Sequence, residues 1–262
     1  MAPNVASLKD FMRLRIGLVS CLIGFFCICA NAQTNAVYLE ENFSKEVTQL
    51  SPNFKGHNWK DVRAGLVRLG MSKNEFESTL EYKNRIRSVL DKTLYGSVKA
   101  NGLIAFVVPT EKEFDPDKKR LSVFLNTRYA YESKGGILIE RTGTVLGQYV
   151  GQNAFGATTS VEKVKYEVAI LYAPKINPAK TGERYIGLSS QEAREIAYRP
   201  LDLIYIGRIN SPYLATRRDY SSPSITTPQE KTEDVTIIGF KFDEIWLVDR
   251  LTGKIISKKL RL

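Results

Sequence analysis

All three cysteines of this 262-residue chain, Cys21, Cys27 and Cys29, fall inside one apolar run near the N-terminus. The run extends from Ile16 to Ala30 behind a basic start at Lys9, Arg13 and Arg15, and it ends in the small-x-small triplet Ala30-Asn31-Ala32. A basic start, an apolar middle and a small-residue end are the three parts of a secretory signal peptide, and cleavage is expected after Ala32. The remaining chain, residues 33–262, then contains no cysteine. An exported protein without disulfides has to hold its fold with a buried core, and a chain of this length can build one. Thiol catalysis, cysteine-based zinc sites and redox switching drop out of the function classes available to it.

Other readings of the same segment fit less well. A spanning helix needs about 20 apolar residues, more than this run supplies. Leu18-Val19-Ser20-Cys21 resembles a lipobox, but the long apolar stretch follows it instead of preceding it. A buried core helix would not normally stand behind a basic cluster at the start of a chain. The expected location is therefore periplasmic or secreted.

The formal charge is +10, and removal of Lys9, Arg13, Arg15 and Asp10 with the signal lowers it to +8. The excess is spread along the chain, with tight groups only at Lys118-Lys119-Arg120, Arg217-Arg218 and Lys258-Lys259 with Arg261. Such charge suits either a solvated surface or attraction to an anionic polymer.

Helical periodicity dominates residues 37–91. Leu39, Phe43, Val47 and Leu50 recur at spacings of one helical face, and Ser51-Pro52-Asn53 stops that helix. A second helix is expected after Asn58 as its cap, with Trp59, Val62, Leu66 and Leu69 on one side and Gly70 at its end. Ser72-Lys73-Asn74-Glu75 reads as a capping box opening a third, with Phe76, Leu80, Ile86 and Leu90 as its stripe.

From residue 102 the period changes to that of strands. Leu103–Val108 and Leu121–Leu125 are short apolar runs rich in branched residues, with a turn at Asp115-Pro116-Asp117 between them. Ile137–Glu140 and Thr144–Val150 follow, then a glycine-rich turn over Tyr149–Thr159. Val164–Tyr172 alternates apolar and charged residues as a half-buried strand should. Ser189-Ser190-Gln191-Glu192 opens a late helix, and Leu201–Ile209 resumes as a strand. Ser211–Asp234, with Pro212, Pro223 and Pro228, reads as one long irregular loop. Strands over Val235–Phe242, Ile245–Asp249 and Lys254–Leu260 close the chain, the last two joined by a turn in which Gly253 supplies a positive φ. These elements predict one α+β domain over residues 33–262, with an N-terminal helical layer packed on a mainly antiparallel β-sheet.

The chemistry on offer is narrow. His57 is the only histidine, it lies between helices, and no G-x-S-x-G motif accompanies it, so an exposed or capping role is expected. Two- or three-histidine zinc sites are out of reach. The glycines at 135, 136 and from 143 to 156 lack the Lys-Ser/Thr and following helix of a phosphate cradle, so no nucleotide cofactor and no metal are expected. Carboxylates remain: Glu75, Glu77 and Glu81 on one predicted helix, and Asp243, Glu244 and Asp249 near the last turn. A pair of them in a cleft could hydrolyse a wall glycan. The candidate binding residues are Tyr205, Arg208, Tyr213, Arg217, Arg218 and Tyr220, a mixture of rings and guanidinium groups suited to interfaces. The expectation is a non-catalytic binding or structural module of the bacterial envelope with a protein partner. A carboxylate-based hydrolase of cell-wall polymer and a binder of an anionic polymer are the alternatives.

Overall fold

The computed structural model describes residues 37–131, 134–172, 174 and 182–260. The expected signal peptide and its three cysteines lie outside these. Strands dominate, with three short helices among them.

Asn58 caps the first helix, α1 (Trp59–Arg68), by accepting the Lys60 amide on its side chain at 2.9 Å. Helix α2 (Thr79–Arg87) opens six residues later than the Ser72 motif implies. Ser78 and Glu81 form the capping box there, each accepting the other's backbone amide. The Ser72 box does not form, because Phe76 and Leu80 stay exposed and supply no buried stripe to hold an earlier turn, whereas Tyr82 and Ile86 are buried. Two small strands, β1 (Thr93–Tyr95) and β2 (Val98–Lys99), make a hairpin against α1.

Residues 37–50 contain no helix. Leu39, Phe43, Val47 and Leu50 do turn inward, but the backbone bonds to distant segments: the Phe43 amide donates to Leu103 O at 2.8 Å and the Leu50 amide to Gly253 O at 3.0 Å. Those non-local bonds replace the i→i−4 ladder, and the segment lies over one face of the sheet as an irregular strap.

The main sheet has the order β3 (Ile104–Thr110), β10 (Leu201–Ser221), β11 (Gln229–Asp249), β8 (Thr158–Tyr172), β7 (Lys134–Gln152), β6 (Thr127–Tyr131), with β12 (Ile255–Leu260) beside the second half of β11. All pairings are antiparallel except β8 with β11. A second sheet of β4 (Lys112–Asp115), β5 (Arg120–Phe124) and β9 (Glu183–Gly187) carries the Asp115-Pro116-Asp117 turn, and α3 (Ser190–Ile196) follows it with the Ser189/Glu192 capping box that the sequence shows.

The sheet is strongly curled. In a flat sheet β3 and β7 would stand four strand spacings apart, about 19 Å. Instead several of their Cα atoms lie within 8 Å. The concave side holds the largest core, where Val62 and Leu66 of α1 and Ile86 of α2 meet Phe106, Leu203, Tyr205, Phe240 and Leu247. The opposite side at the base packs Ile204, Ile206, Trp246 and Val248 under the N-terminal strap through Phe43 and Leu50.

Ser211–Asp234 is not a loop. Its two ends belong to β10 and β11, which pair from Leu201↔Asp249 to Ser221↔Lys231 around a short turn. Pro212 sits where the register skips between Ile209 and Leu214, and Pro223 and Pro228 flank the turn, so no proline has to donate within the ladder. Between them polar side chains occupy both faces of the strand, which leaves no hydrophobic period to read.

Candidate interaction surface: a four-stranded arm

The outer halves of β10, β11, β8 and β7 continue past the core as one ribbon. Leu214↔Ile238 to Ser221↔Lys231 joins β10 to β11, Gly239↔Tyr172 to Gln229↔Glu162 joins β11 to β8, and β8 pairs β7 out to Thr158↔Gln152. Among the described residues no strand lies beyond β7 past Leu138, nor beyond β10 past Gly207. At its root the face away from α1 is dry, with Val168, Ile170, Val235 and Ile237 buried together, and further out both faces are largely wet.

Charge pairs across the strands hold it in register. On the face continuous with α1, Lys60 meets Glu167 at 2.9 Å, Lys165 meets Asp234 at 2.9 Å and Arg218 meets Asp234 at 2.6 Å. The two cations beside Asp234, Arg218 first, hold its carboxyl down to about 2. Further out the Tyr149 hydroxyl donates to Glu230 at 2.9 Å, and Lys163 stands over the Tyr149 ring at 5.1 Å. On the other face Glu233 accepts from Arg128 and from Arg141, and the Arg141 guanidinium lies 3.4 Å from the Tyr166 ring centre. At the root of β7 the Trp59 indole donates to Glu140 at 2.8 Å.

Beyond this ladder charge ends. No residue from Thr142 to Val161 is charged, and none from Ser221 to Pro228. There Phe155 is 95% exposed, Val150 75% and Ile225 53%, while Leu146, 63% exposed, flanks Lys163 on the open strand. The two turns bond internally: the Asn153 side chain accepts the Phe155 and Ala157 amides, and Ser224 Oγ accepts the Thr227 amide.

The residues expected to form a site do not make one patch. Tyr205 is wholly buried at the base, its ring edge-on to Phe242 at 5.9 Å. Its place is in the core because it alternates with Leu203 on the concave face. Tyr213 is half-buried against Tyr82, and Arg208 pairs with Asp243 at 2.7 Å. Arg217, beside Asp219, lies on the opposite face of β10 from Arg218 and Tyr220. Only Arg218 and Tyr220 share a face on the arm. The residues that sequence reasoning missed are their cross-strand partners, Asp234, Lys165, Glu230, Lys163 and Tyr149. Charge at successive positions in Glu162–Lys165 and Gln229–Asp234 was the available signal of a strand wet on both sides.

His57 is buried, not exposed. The Ala105 amide donates to Nδ1 at 3.0 Å, which makes that nitrogen the acceptor, so Nε2 carries the hydrogen and donates to Glu41 O at 2.9 Å. The neutral ring cross-braces the strap to β3, and burial lowers its pKa. Beside it, where β3 approaches β7, a cleft of about 290 Å³ is lined by Tyr38, Phe54, Trp59, Glu140, Asp202 and Arg250 among others. Its two acids are already engaged, Glu140 by Trp59 and Asp202 by the Arg250 fork. The acids near the last turn are likewise separate: Asp243 on Arg208, Glu244 on Lys45 and Asp249 on Arg199. On α2 and the turn before it, Glu77 pairs with Arg85 and Glu81 caps Ser78. No three His, Asp or Glu side chains among the described residues gather as metal ligands.

The chain matches no family model, no curated protein and no solved structure. The arm's own geometry therefore carries the functional reading.

Proposed function

We propose that the chain is an exported, non-catalytic binding module of the bacterial envelope, and that its arm is the element that meets a protein partner. The observation that supports this reading is the outer edge of β7 from Thr142 to Gln152. It offers a row of main-chain donors and acceptors with no charged side chain to deter pairing. Strands left open in this way accept an added strand. The β10 edge is guarded by Arg217, Arg218 and Asp219, which makes it the more selective of the two. In this reading the N-terminal helices are a layer that braces the sheet's base, and periplasmic or secreted location follows from the signal segment. A mixed, internally paired charge ladder gives an anionic polymer little to bind.

Photocross-linking in cells tests it. A benzophenone amino acid at Val145 or Tyr220, on the arm, should yield an adduct with an envelope protein, while the same group at the exposed Tyr198, beside α3, should not. No adduct at either arm position would overturn the reading.

A further inference from the structure

We infer that the uncharged tip of the arm seats in the interfacial layer of a lipid bilayer. This goes beyond the protein-binding reading and shares with it only the export of the chain. The tip is zoned along its length. Outermost are Phe155, Val150 and Ile225, all more than half exposed. Behind them stands the ring of Tyr149, opposite Val161, and behind that the first charges, Glu162, Lys163 and Glu230, with Tyr220 a step further in beside Thr232. Apolar side chains, then an amphipathic ring, then charge is the order that the depth profile of a membrane surface selects.

Two further features fit the same occupant. Moving a turn out of water is costly when its amides lose their partners. Here the amides at Asn153, Phe155, Gly156 and Ala157 bond within the turn, and those at Ser224, Thr227 and Gln229 do likewise. The open β7 edge sets the limit of depth, because an unpaired sheet edge is not stable in the hydrocarbon core. The tip thus enters the interface and goes no deeper. The charges of the arm pair with each other, so seating depends on apolar contact more than on anionic lipid.

The test places a reporter at the tip of the full chain. Trp59 and Trp246 are buried in the base and give a constant background. In Phe155→Trp, adding vesicles of phosphatidylethanolamine and phosphatidylglycerol should shift the emission to the blue, and lipids brominated near the glycerol end of the chain should quench the new ring. A tip-borne Val150→Asp in the same background should lower the vesicle-dependent shift about fivefold or more, with the circular dichroism of the fold unchanged. Vesicles of phosphatidylcholine should give a similar shift. An emission that stays at its water-exposed position with vesicles present overturns the inference. If that occurs while Val145 or Tyr220 still cross-links a protein, the lipid assignment alone falls and the protein-binding reading stands.

Discussion

Trp59 and Glu140, far apart in sequence, meet through a 2.8 Å hydrogen bond from the indole to the carboxylate. That bond closes the gap between α1 and β7 and fixes where the arm leaves the core. Glu140 also accepts the Thr142 hydroxyl at 3.0 Å, so one carboxylate orients both the helix and the root of the strand. Replacing Trp59 by Phe keeps most of the packing but leaves Glu140 short of a donor, and should cost about 1–3 kcal/mol in urea unfolding. Glu140→Gln should lose less, since its amide oxygen still accepts. In the double variant the two losses should fall short of adding. Additive losses would mean that the bond contributes nothing of its own.

His57 supplies a pH dependence whose sign follows from its burial. The folded chain holds the ring neutral, with a pKa below the ordinary 6.5, while the unfolded chain titrates normally. Below pH 6.5 the unfolded state takes up a proton that the folded state resists, so stability is full above that pH and declines as pH falls toward the folded value. Because the chain has one histidine, its ring C–H signal in proton NMR is unique. That signal should stay at its neutral position below pH 6.5, and the urea midpoint should drop over the same range. A ring that titrates at 6.5 or above would contradict the buried, doubly bonded geometry.

Tyr205 offers the opposite case, a buried polar atom without compensation. Its hydroxyl has no hydrogen-bond partner among the described residues. Tyr205→Phe should therefore be neutral or raise stability by up to about 1 kcal/mol. Tyr82 is the internal control. Its hydroxyl lies 2.8 Å from Met71 O and 2.9 Å from Pro212 O, and burial pushes its pKa up to about 12. Tyr82→Phe should cost about 1 kcal/mol when both variants are compared by urea unfolding. Equal losses from the two substitutions would show that the Tyr205 hydroxyl is satisfied.

What the sequence reveals here is what local chemistry decides. The Asn58 cap, the Ser189/Glu192 box and the Gly253 turn each depend on residues within a few positions, and each forms as the sequence indicates. The strap over residues 37–50 has helical spacing, but its amides find partners at Leu103 and Gly253, choices that no local window contains. The arm escapes for a different reason. Hydrophobic alternation marks a strand only when one face is dry, and Arg217-Arg218-Asp219 points charge to both sides of a strand held by main-chain bonds and ion pairs. Tyr205 shows the converse error, since a ring beside a basic residue looks like a surface feature until the alternation with Leu203 is followed into the core.

The same logic of non-local contact reverses an ordinary rule at Gly65, inside α1. In an exposed helix interior glycine to alanine gains up to about 1 kcal/mol. At Gly65 an added Cβ would stand 2.5 Å from Leu94 O and 2.9 Å from Leu94 C, both main-chain atoms of β1. Neither can swing aside as a side-chain tip could, so the helix would have to lift from the hairpin and take Trp59 with it. Overpacking of this kind costs about 1–3 kcal/mol, which exceeds the gain in propensity. Gly65→Ala should therefore lower the urea midpoint, and it should weaken the Trp59–Glu140 bond enough to shrink the loss seen on adding Trp59→Phe. A midpoint equal to or above that of the unsubstituted chain would mean that α1 does not press on β1, and the anchoring of the arm through Trp59 would need another support.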